Sequence, residues 1–334
     1  MKLTKTIAAA SLMALAGSAR AAKPAETGED HAIGPRQALV GRRAAPALLE
    51  MLDGERVALA DVIGRKPIYL KFWATWCVPC RKQMPHLEAA HRKYGDRIAV
   101  FAVDLGLNDS VEAVREFRAA HGLTVPIAID RDGSLAELFH VAVTPQHVLI
   151  DRAGVIRYVG HGATPELDAA LDALLRDGGG TSARAPRAGA VADEPLSLTM
   201  LDGSRFTLAG HAGRPVALTF VSTSFDTYLA KSRPAMAEAC AVHARAVESL
   251  RKSHDRIVWV TIAHPVWTSA SSAGRYRERL GVSTPIGIDE GGTWFHRFRV
   301  REVPTTILLD GRGVEVARVQ GRGDDLERAL ARLR

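Results

Sequence analysis

The sequence predicts an α/β fold that is built twice along one chain of 334 residues. Short apolar runs with strand character alternate with amphipathic helical segments, a pattern typical of a sheet covered by helices on both faces. The second half repeats landmarks of the first, with Leu52-Asp53-Gly54 recurring as Leu201-Asp202-Gly203. The run FWATWCVPC, residues 72–80, places two cysteines directly after one of these strands. We therefore predict two homologous domains, one of which carries a reactive site.

The elements of the first copy follow from its periodicity in chain order. A polar segment leads to a buried strand, a helix that begins at the cysteines, and a second strand and helix. A short strand and a short helix come next, and two strands and a final helix close the copy. The predicted strands are residues 67–73, 97–104, 125–129, 146–151 and 155–160. The predicted helices are residues 77–94, 110–121, 134–139 and 165–176.

The two copies differ in length at one place. Pro85 matches Pro234, 149 residues later, whereas Pro145 matches Pro304, 159 residues later. About ten extra residues therefore precede Asp255, in a segment of strong helix formers without internal Gly or Pro. We expect one helix of the second copy to be longer by about three turns.

The N-terminus predicts export. Residues 1–21 combine a basic start, a short apolar run and the small-residue site Ala19-Arg20-Ala21, which is the layout of a cleaved signal peptide. The apolar run falls well short of the roughly 20 residues that span a bilayer, so the processed protein is not expected to span a membrane. We expect a periplasmic protein with a flexible lead-in (residues 22–38), a first domain (39–177), a linker (178–192) and a second domain (193–334).

Composition excludes several classes of protein. The net charge is +7, but the Arg residues are scattered singly, so we expect no nucleic-acid partner. Cys77, Cys80 and Cys240 are too few cysteines for a disulfide-stapled scaffold, and two of them form a C-x-x-C pair. A zinc site needs four ligands, and no second C-x-x-C is present. We therefore predict no metal and no cofactor other than a redox-active Cys77–Cys80 disulfide.

The spacing of the cysteines indicates thiol-disulfide exchange. A cysteine at the first turn of a helix lies where backbone N–H groups and the helix dipole favour negative charge, which lowers its pKa below the usual ~8.5. Cys77 is therefore the predicted nucleophile. Cys80, one turn deeper on the same face, is the predicted resolving thiol that releases a mixed disulfide. Pro79 is tolerated between them because a first helical turn does not use its missing N–H.

The runs FWATWCVPCRKQMP (residues 72–85) and AVTPQHVLIDRAGVIRYVG (residues 142–160) resemble the thioredoxin superfamily, and in particular its exported TlpA/ResA-like thiol-disulfide oxidoreductases. The resemblance covers residues 41–177 well and residues 195–334 more faintly. It implies two thioredoxin-like domains, each a mixed central β-sheet flanked by helices. It also implies that Pro145 is a cis-proline facing the disulfide, that Thr144 offers backbone hydrogen bonds to a bound partner, and that Trp76 and Pro79 shape the site.

Three positions depart from the family pattern. Gln83 stands where a Glu is usual, which removes a carboxylate near the thiols. Lys71 occupies the position of thioredoxin's buried acid, where it either stabilises the Cys77 thiolate or snorkels to the surface. The peroxiredoxin pattern requires a Thr three residues before its cysteine, and Ala74 stands there, so we expect no peroxidase activity.

The second copy has lost both active cysteines, whose positions fall within Phe225–Tyr228. Val303 and Pro304 keep the cis-proline signature, either as a structural turn or as an edge that still binds clients. Cys240 lies on an apolar helical stripe, which indicates a buried inert thiol, with a reactive cysteine as the alternative. Our hypothesis is that the second copy binds clients, acts as a spacer or dimerises.

The predicted function is a periplasmic protein-disulfide reductase. Val78-Pro79 supplies no cation between the cysteines, which favours a potential nearer the ~−270 mV of thioredoxin than the ~−120 mV of DsbA. By resemblance, the clients are exported proteins with disulfides, such as the haem-binding cysteines of apocytochrome c or copper-site cysteines, and a membrane thiol reductase supplies electrons. The alternatives are a thiol oxidase or isomerase with the same cysteines, or a non-catalytic copper-handling or client-binding protein.

Overall fold

A computed structural model of the chain describes residues 38–176 and 196–333. It contains two five-stranded mixed sheets flanked by helices, one in each copy, which confirms the predicted fold class. The predicted signal peptide, nearly all of the lead-in and the predicted linker lie outside the described residues. Within the two described ranges, no helix is both long enough and apolar enough to cross a bilayer.

The first domain is a five-stranded sheet with an N-terminal hairpin. The strands are β1 (Leu48–Glu50), β2 (Arg56–Ala58), β3 (Ile68–Trp73), β4 (Ala99–Asp104), β5 (Ile127–Ile129), β6 (Gln146–Ile150) and β7 (Ile156–Gly160). The helices are α1 (Leu59–Val62), α2 (Val78–Lys82), α3 (Met84–Tyr94), α4 (Val111–Ala120), α5 (Ser134–Leu138) and α6 (Pro165–Arg176). The sheet order is β5-β4-β3-β6-β7, with β3, β4 and β5 parallel and β6 and β7 antiparallel.

The central strand β3 places the cysteines at the edge of the sheet. All six of its residues are buried, because helices cover both faces. The strand ends at Trp73, and four residues later the chain enters α2 at Cys77. The cysteines therefore sit where the carboxyl end of β3 meets the start of a helix.

The long helix predicted over residues 77–94 is wrong in one respect, because the structure divides it into α2 and α3. Gln83 separates the two helices, and Pro85 lies in the first turn of α3. Proline has no N–H to continue the hydrogen-bond ladder and its ring crowds the preceding turn, so one helix ends before it and another begins. The hairpin of β1 and β2 was described from the sequence only as a polar segment.

The second domain repeats this plan. Its strands are β8 (Ser197–Thr199), β9 (Arg205–Thr207), β10 (Val216–Val221), β11 (Val258–Ala263), β12 (Ile286–Ile288), β13 (Thr305–Leu309) and β14 (Glu315–Gln320). Its helices are α7 (Phe225–Tyr228), α8 (Pro234–Ser253), α9 (Ala270–Leu280), α10 (Thr293–Arg297) and α11 (Leu326–Leu330), with a 3-10 turn at Ala209–His211. The sheet order β12-β11-β10-β13-β14 has the same pattern as in the first domain.

The registers align the two domains residue by residue. Phe72 pairs with Gln146, and Phe220 pairs with Thr305, its equivalent 159 residues later. Counting on from these two phenylalanines places Phe225 at the position of Cys77 and Tyr228 at that of Cys80. The predicted insertion is confirmed as a longer helix, since α8 has 20 residues where α3 has 11.

Candidate functional site

The two cysteines form a disulfide at the start of α2. The S–S bond is 2.00 Å long and the two Cα atoms are 5.2 Å apart. Cys77 is the N-cap residue of α2, and its Sγ accepts a hydrogen bond from the backbone N–H of Cys80 at 3.2 Å. Pro79 lies in the first turn of the helix. This geometry places the Cys77 sulfur at the positive end of a helix, next to an amide that stabilises a thiolate once the bond is reduced.

Solvent does not reach the disulfide, since both cysteines are 0% exposed. Trp76, the residue before Cys77, is also buried and donates its indole N–H to the carbonyl of Leu107 at 2.7 Å. A reactive cysteine of this type needs access to a second sulfur atom, because exchange proceeds through a mixed disulfide. The described conformation is therefore closed toward a client.

Lys71 lies beneath the disulfide with no exposed surface. Its Nζ donates to the carbonyl of Cys80 at 3.4 Å and approaches Met84 Sδ at 3.8 Å. Burial lowers the pKa of the lysine to about 7, because a charged ammonium loses its hydration there. The alternative that Lys71 snorkels to the surface is wrong, since the whole side chain is buried and points toward the active cysteines.

Gln83 joins a chain of hydrogen bonds under the site. Its Oε1 lies 2.9 Å from His147 Nε2, and its Nε2 donates to the carbonyl of His161 at 3.0 Å. Tyr69 Oη lies 2.8 Å from His147 Nδ1. Because an amide oxygen only accepts, His147 carries its proton on Nε2 and accepts from Tyr69. Burial, and then the charge of Lys71, lower the pKa of His147 well below its usual value, so the ring is neutral.

The loop before β6 contains Thr144 and Pro145. The Thr144–Pro145 peptide bond is cis, and Thr144 is fully buried. The carbonyl of Pro145 accepts a hydrogen bond from His161 Nδ1 at 2.9 Å. This contact connects the proline loop to the network of Gln83.

A carboxylate that the sequence did not single out holds the segment before the cysteines. Asp109 accepts hydrogen bonds from the backbone N–H of Thr75 at 2.7 Å and from its hydroxyl at 2.5 Å. Arg233 of the second domain pairs with the same carboxylate at 3.3 Å and also contacts the Thr75 hydroxyl. The Asp109 side chain is 0% exposed, so this ion pair is buried on the acid side.

The second domain covers the active cysteines with two aromatic side chains. The ring of Phe225 packs edge-on against Trp76, with 4.8 Å between the ring centroids. The hydroxyl of Tyr228 accepts a hydrogen bond from the backbone N–H of Val78 at 2.8 Å. These aromatic residues occupy the positions that the active cysteines hold in the first domain. The spacing from Phe220 identified those positions, but it gave no indication that they face the other domain.

Each domain also meets the proline loop of the other. Trp267 donates its indole N–H to Thr144 Oγ1 at 3.2 Å. In the reverse direction, Asn108 Nδ2 donates to the carbonyl of Val303 at 2.9 Å, and Asn108 Oδ1 accepts from the N–H of Val303 at 3.0 Å. The Val303–Pro304 bond is cis, like its counterpart. The edge that the sequence assigned to client binding at Val303 and Pro304 is therefore already occupied by the first domain.

Cys240 lies in α8 and is buried. Burial raises the pKa of its thiol to about 12, so it is protonated at neutral pH. The structure favours the inert thiol over the reactive one. Among the described residues, no group of three or more His, Cys, Asp or Glu side chains is arranged to hold a metal ion.

Comparisons with known proteins agree with this site. The AhpC/TSA family model matches residues 40–159. The thioredoxin-like protein YneN of Bacillus subtilis is 38% identical over 135 residues, which is 40% of this chain and 78% of YneN. The thiol-disulfide oxidoreductase ResA of Bacillus thuringiensis is 33% identical over 118 residues, which is 35% of this chain and 66% of ResA.

A solved structure, that of the pneumococcal exposed lipoprotein thioredoxin Etrx1 from Streptococcus pneumoniae, is 29% identical to this chain. It matches with a TM-score of 0.34 over 40% of this chain and 99% of its own. The sequence matches all include the C-x-x-C segment and the fold of the first domain. On that basis, the chain belongs to the AhpC/TSA family of thioredoxin-like proteins and is a thiol-disulfide oxidoreductase.

Proposed function

We propose that this protein reduces disulfides of exported proteins in the bacterial periplasm, using Cys77 and Cys80. The observation that carries the proposal is the position of Cys77 Sγ at the start of α2, 3.2 Å from the N–H of Cys80. A helix start of this kind stabilises the attacking thiolate. The basic and apolar N-terminal segment supports export.

The reaction proceeds in two exchange steps. The Cys77 thiolate attacks one sulfur of the client disulfide, forms a Cys77–client bond and releases the other client sulfur as a thiolate. The Cys80 thiolate then attacks Cys77 Sγ, closes the Cys77–Cys80 bond and releases the second client sulfur. Two electrons pass to the client, and the two protons of the enzyme dithiol end on the client thiols. A membrane thiol reductase would restore the dithiol.

Lys71 has a role in both steps. In its charged form, an ammonium 3.4 Å from the Cys80 carbonyl stabilises the thiolates above it. In its neutral form, which a pKa of about 7 makes available at neutral pH, the amine accepts the proton of the Cys80 thiol. One buried group therefore serves a proton transfer that the family assigns to an acid.

Two features favour a reducing over an oxidising role. The residues between the cysteines, Val78 and Pro79, carry no charge. The N–H of Val78 donates to the hydroxyl of Tyr228, so this first-turn amide is not free to stabilise a thiolate. A less stabilised thiolate lowers the reduction potential of the pair, since oxidants such as DsbA owe their potential to a stabilised reduced form.

The midpoint potential tests the direction. The purified protein is equilibrated with defined ratios of reduced and oxidised dithiothreitol, and the thiols are then counted by alkylation and mass spectrometry. We expect a potential nearer ~−270 mV than ~−120 mV. A value near that of DsbA would replace the reductase with the oxidase alternative.

The clients are identified with Cys80→Ser, which lacks the resolving thiol and retains mixed disulfides on Cys77. The variant is expressed in the source cell, and the trapped proteins are identified by mass spectrometry. We expect exported proteins with paired cysteines, for example haem-binding or copper-site cysteines. Cys77→Ser is the matched control and should trap none of them. Equal capture by both variants would contradict the proposal.

A further inference from the structure

The two domains pack face to face with approximate twofold symmetry. The backbone N–H of Trp267 donates to the carbonyl of Ala142 at 2.9 Å, and the N–H of Asn108 donates to the carbonyl of Arg301 at 2.7 Å. Trp267 is the equivalent of Asn108, and Arg301 is the equivalent of Ala142, each 159 residues later. The same hydrogen bond is therefore made in both directions, as in an isologous dimer interface.

The two residues that make this bond share an unusual backbone. Asn108 has a φ of 54° and Trp267 a φ of 60°. Residues other than glycine are uncommon in this left-handed region, and a bulky Trp is rarer there than an Asn. The Trp267 backbone is thus held in a costly conformation at the point where it meets the proline loop of the first domain.

On the first domain, these contacts occupy the surface around the disulfide. Trp267 takes the carbonyl of Ala142 and the hydroxyl of Thr144, the residue before Pro145. Phe225 packs on Trp76, and Tyr228 takes the N–H of Val78. The result is a disulfide without solvent access.

Contacts away from the disulfide hold this arrangement. Arg301 reaches across and donates to the carbonyls of Leu105 at 3.3 Å and Asp130 at 3.1 Å. His296 Nδ1 lies 2.9 Å from the carboxylate of Glu137. These residues do not touch the cysteines, so they act on access to the site only through the position of the second domain.

We propose that the second domain decides which disulfides reach Cys77, with Phe225, Tyr228 and Trp267 as its specificity-determining residues. It occupies the surface that a client must use, so a partner reacts only if it displaces these three side chains. The fitting client presents its cysteine on an extended segment whose backbone N–H replaces that of Trp267 at the carbonyl of Ala142. Small disulfides and dithiols gain no such contacts and are excluded. This inference rests on the proposed exchange function.

The test measures how fast dithiothreitol reduces the Cys77–Cys80 disulfide of the full chain. Trp267→Ala removes the ring over Thr144, and Arg301→Ala removes the two distant carbonyl contacts. If the open form is a minor population, we expect both variants to react about tenfold faster than wild type, because the rate follows the accessible fraction. The rate is read by quenching with an alkylating agent and counting modified thiols.

Two further variants keep the result interpretable. Trp259→Phe alters a buried Trp of the second domain that packs only within that domain, and it should react at the wild-type rate. Trp267→Phe keeps an aromatic ring without the indole N–H, so it should fold as wild type and show a smaller acceleration. Near-ultraviolet circular dichroism checks folding in each case.

Two outcomes are distinguishable. Equal rates for wild type, Trp267→Ala and Arg301→Ala would overturn the control of access by the second domain and leave the exchange function intact. If dithiothreitol reduces the disulfide in no folded variant, the exchange function itself fails.

Discussion

The side-chain nitrogen of Lys71 lies 3.4 Å from the carbonyl oxygen of Cys80, in a position without solvent exposure. Within the described residues, its other polar contact is a methionine sulfur, and no carboxylate forms an ion pair with it. Burying a charged group without a partner is costly, so its pKa moves until the neutral form is accessible. The lysine therefore changes charge in the pH range in which the cysteines work.

The first prediction concerns the reactivity of the reduced cysteines. Lys71→Met removes the only charge buried directly beneath them, so the pKa of the Cys77 thiol should rise by about one unit. We expect the rate of alkylation of the reduced protein at pH 7 to fall about tenfold, since only the thiolate reacts. The measurement is an iodoacetamide rate as a function of pH. Lys82→Met, an exposed lysine on α2, should leave the curve unchanged, and an unchanged curve in Lys71→Met would contradict the role of Lys71.

The second prediction concerns stability and pH. The folded pKa of Lys71 is about 7 and the ordinary value is 10.5, so between these values the unfolded chain binds the extra proton. The free energy of unfolding of the oxidised protein should therefore rise with pH across this window, by a contribution on the order of a few kcal/mol. Below pH 7 the penalty of the buried charge is present in full.

Urea unfolding at several pH values measures this contribution. Lys71→Met should be the more stable protein at pH 6, and the difference from wild type should shrink toward pH 10. A difference that stays constant with pH would show that the substitution acts through packing alone. Lys82→Met again provides the control for a general effect of removing a lysine.

The third prediction concerns Gln83, where the family pattern has a Glu. Gln83→Glu replaces the N–H donor to the carbonyl of His161 by a second acceptor. We expect a loss of about 1–3 kcal/mol in the free energy of unfolding at pH 7, the usual cost of an unsatisfied buried group. At pH 4 the protonated carboxyl donates again, so the loss should shrink. Gln83→Met has no donor at any pH and should show a loss that does not vary between these two values.

Much of the fold follows from sequence because its signals are local. The buried run of β3 and the alternation of strands with helices define the sheet, and the repeat transfers the same assignment to the second domain. The division of the helix at Gln83 was missed, although Pro85 carried the signal. A proline in the first turn of a new helix and a proline that breaks a longer one have the same local sequence.

The site was predictable only where one domain builds it. Cys77, Cys80 and Pro145 stand in recognisable runs of sequence, and the structure brings their loops together under one network. Tyr228 and Trp267 gave no such signal, because their function depends on packing between domains. Periodicity describes which face of an element is buried, but it does not say whether its own domain or another one buries it. The repeat offset is the signal that links them, once the symmetric contacts of Asn108 and Trp267 are known.

The last prediction concerns the ion pair between Asp109 and Arg233, which joins the two domains beside the active site. The acid is fully buried and also holds Thr75, whereas the arginine is 28% exposed. Asp109→Asn keeps the shape but leaves Arg233 without its partner charge, and we expect a loss of about 2–4 kcal/mol in the free energy of unfolding. Arg233→Gln should cost a similar amount, because the Asp109 carboxylate then remains buried with only neutral donors.

A double-mutant cycle separates the pair from its surroundings. If the two charges act on each other, the double variant should be less destabilised than the sum of the single variants by about 1–3 kcal/mol. The matched control is the exposed pair of Arg328 and Asp325, for which the coupling should stay below about 0.5 kcal/mol. Additive losses at Asp109 and Arg233 would mean that the contact seen between them contributes nothing to holding the domains together.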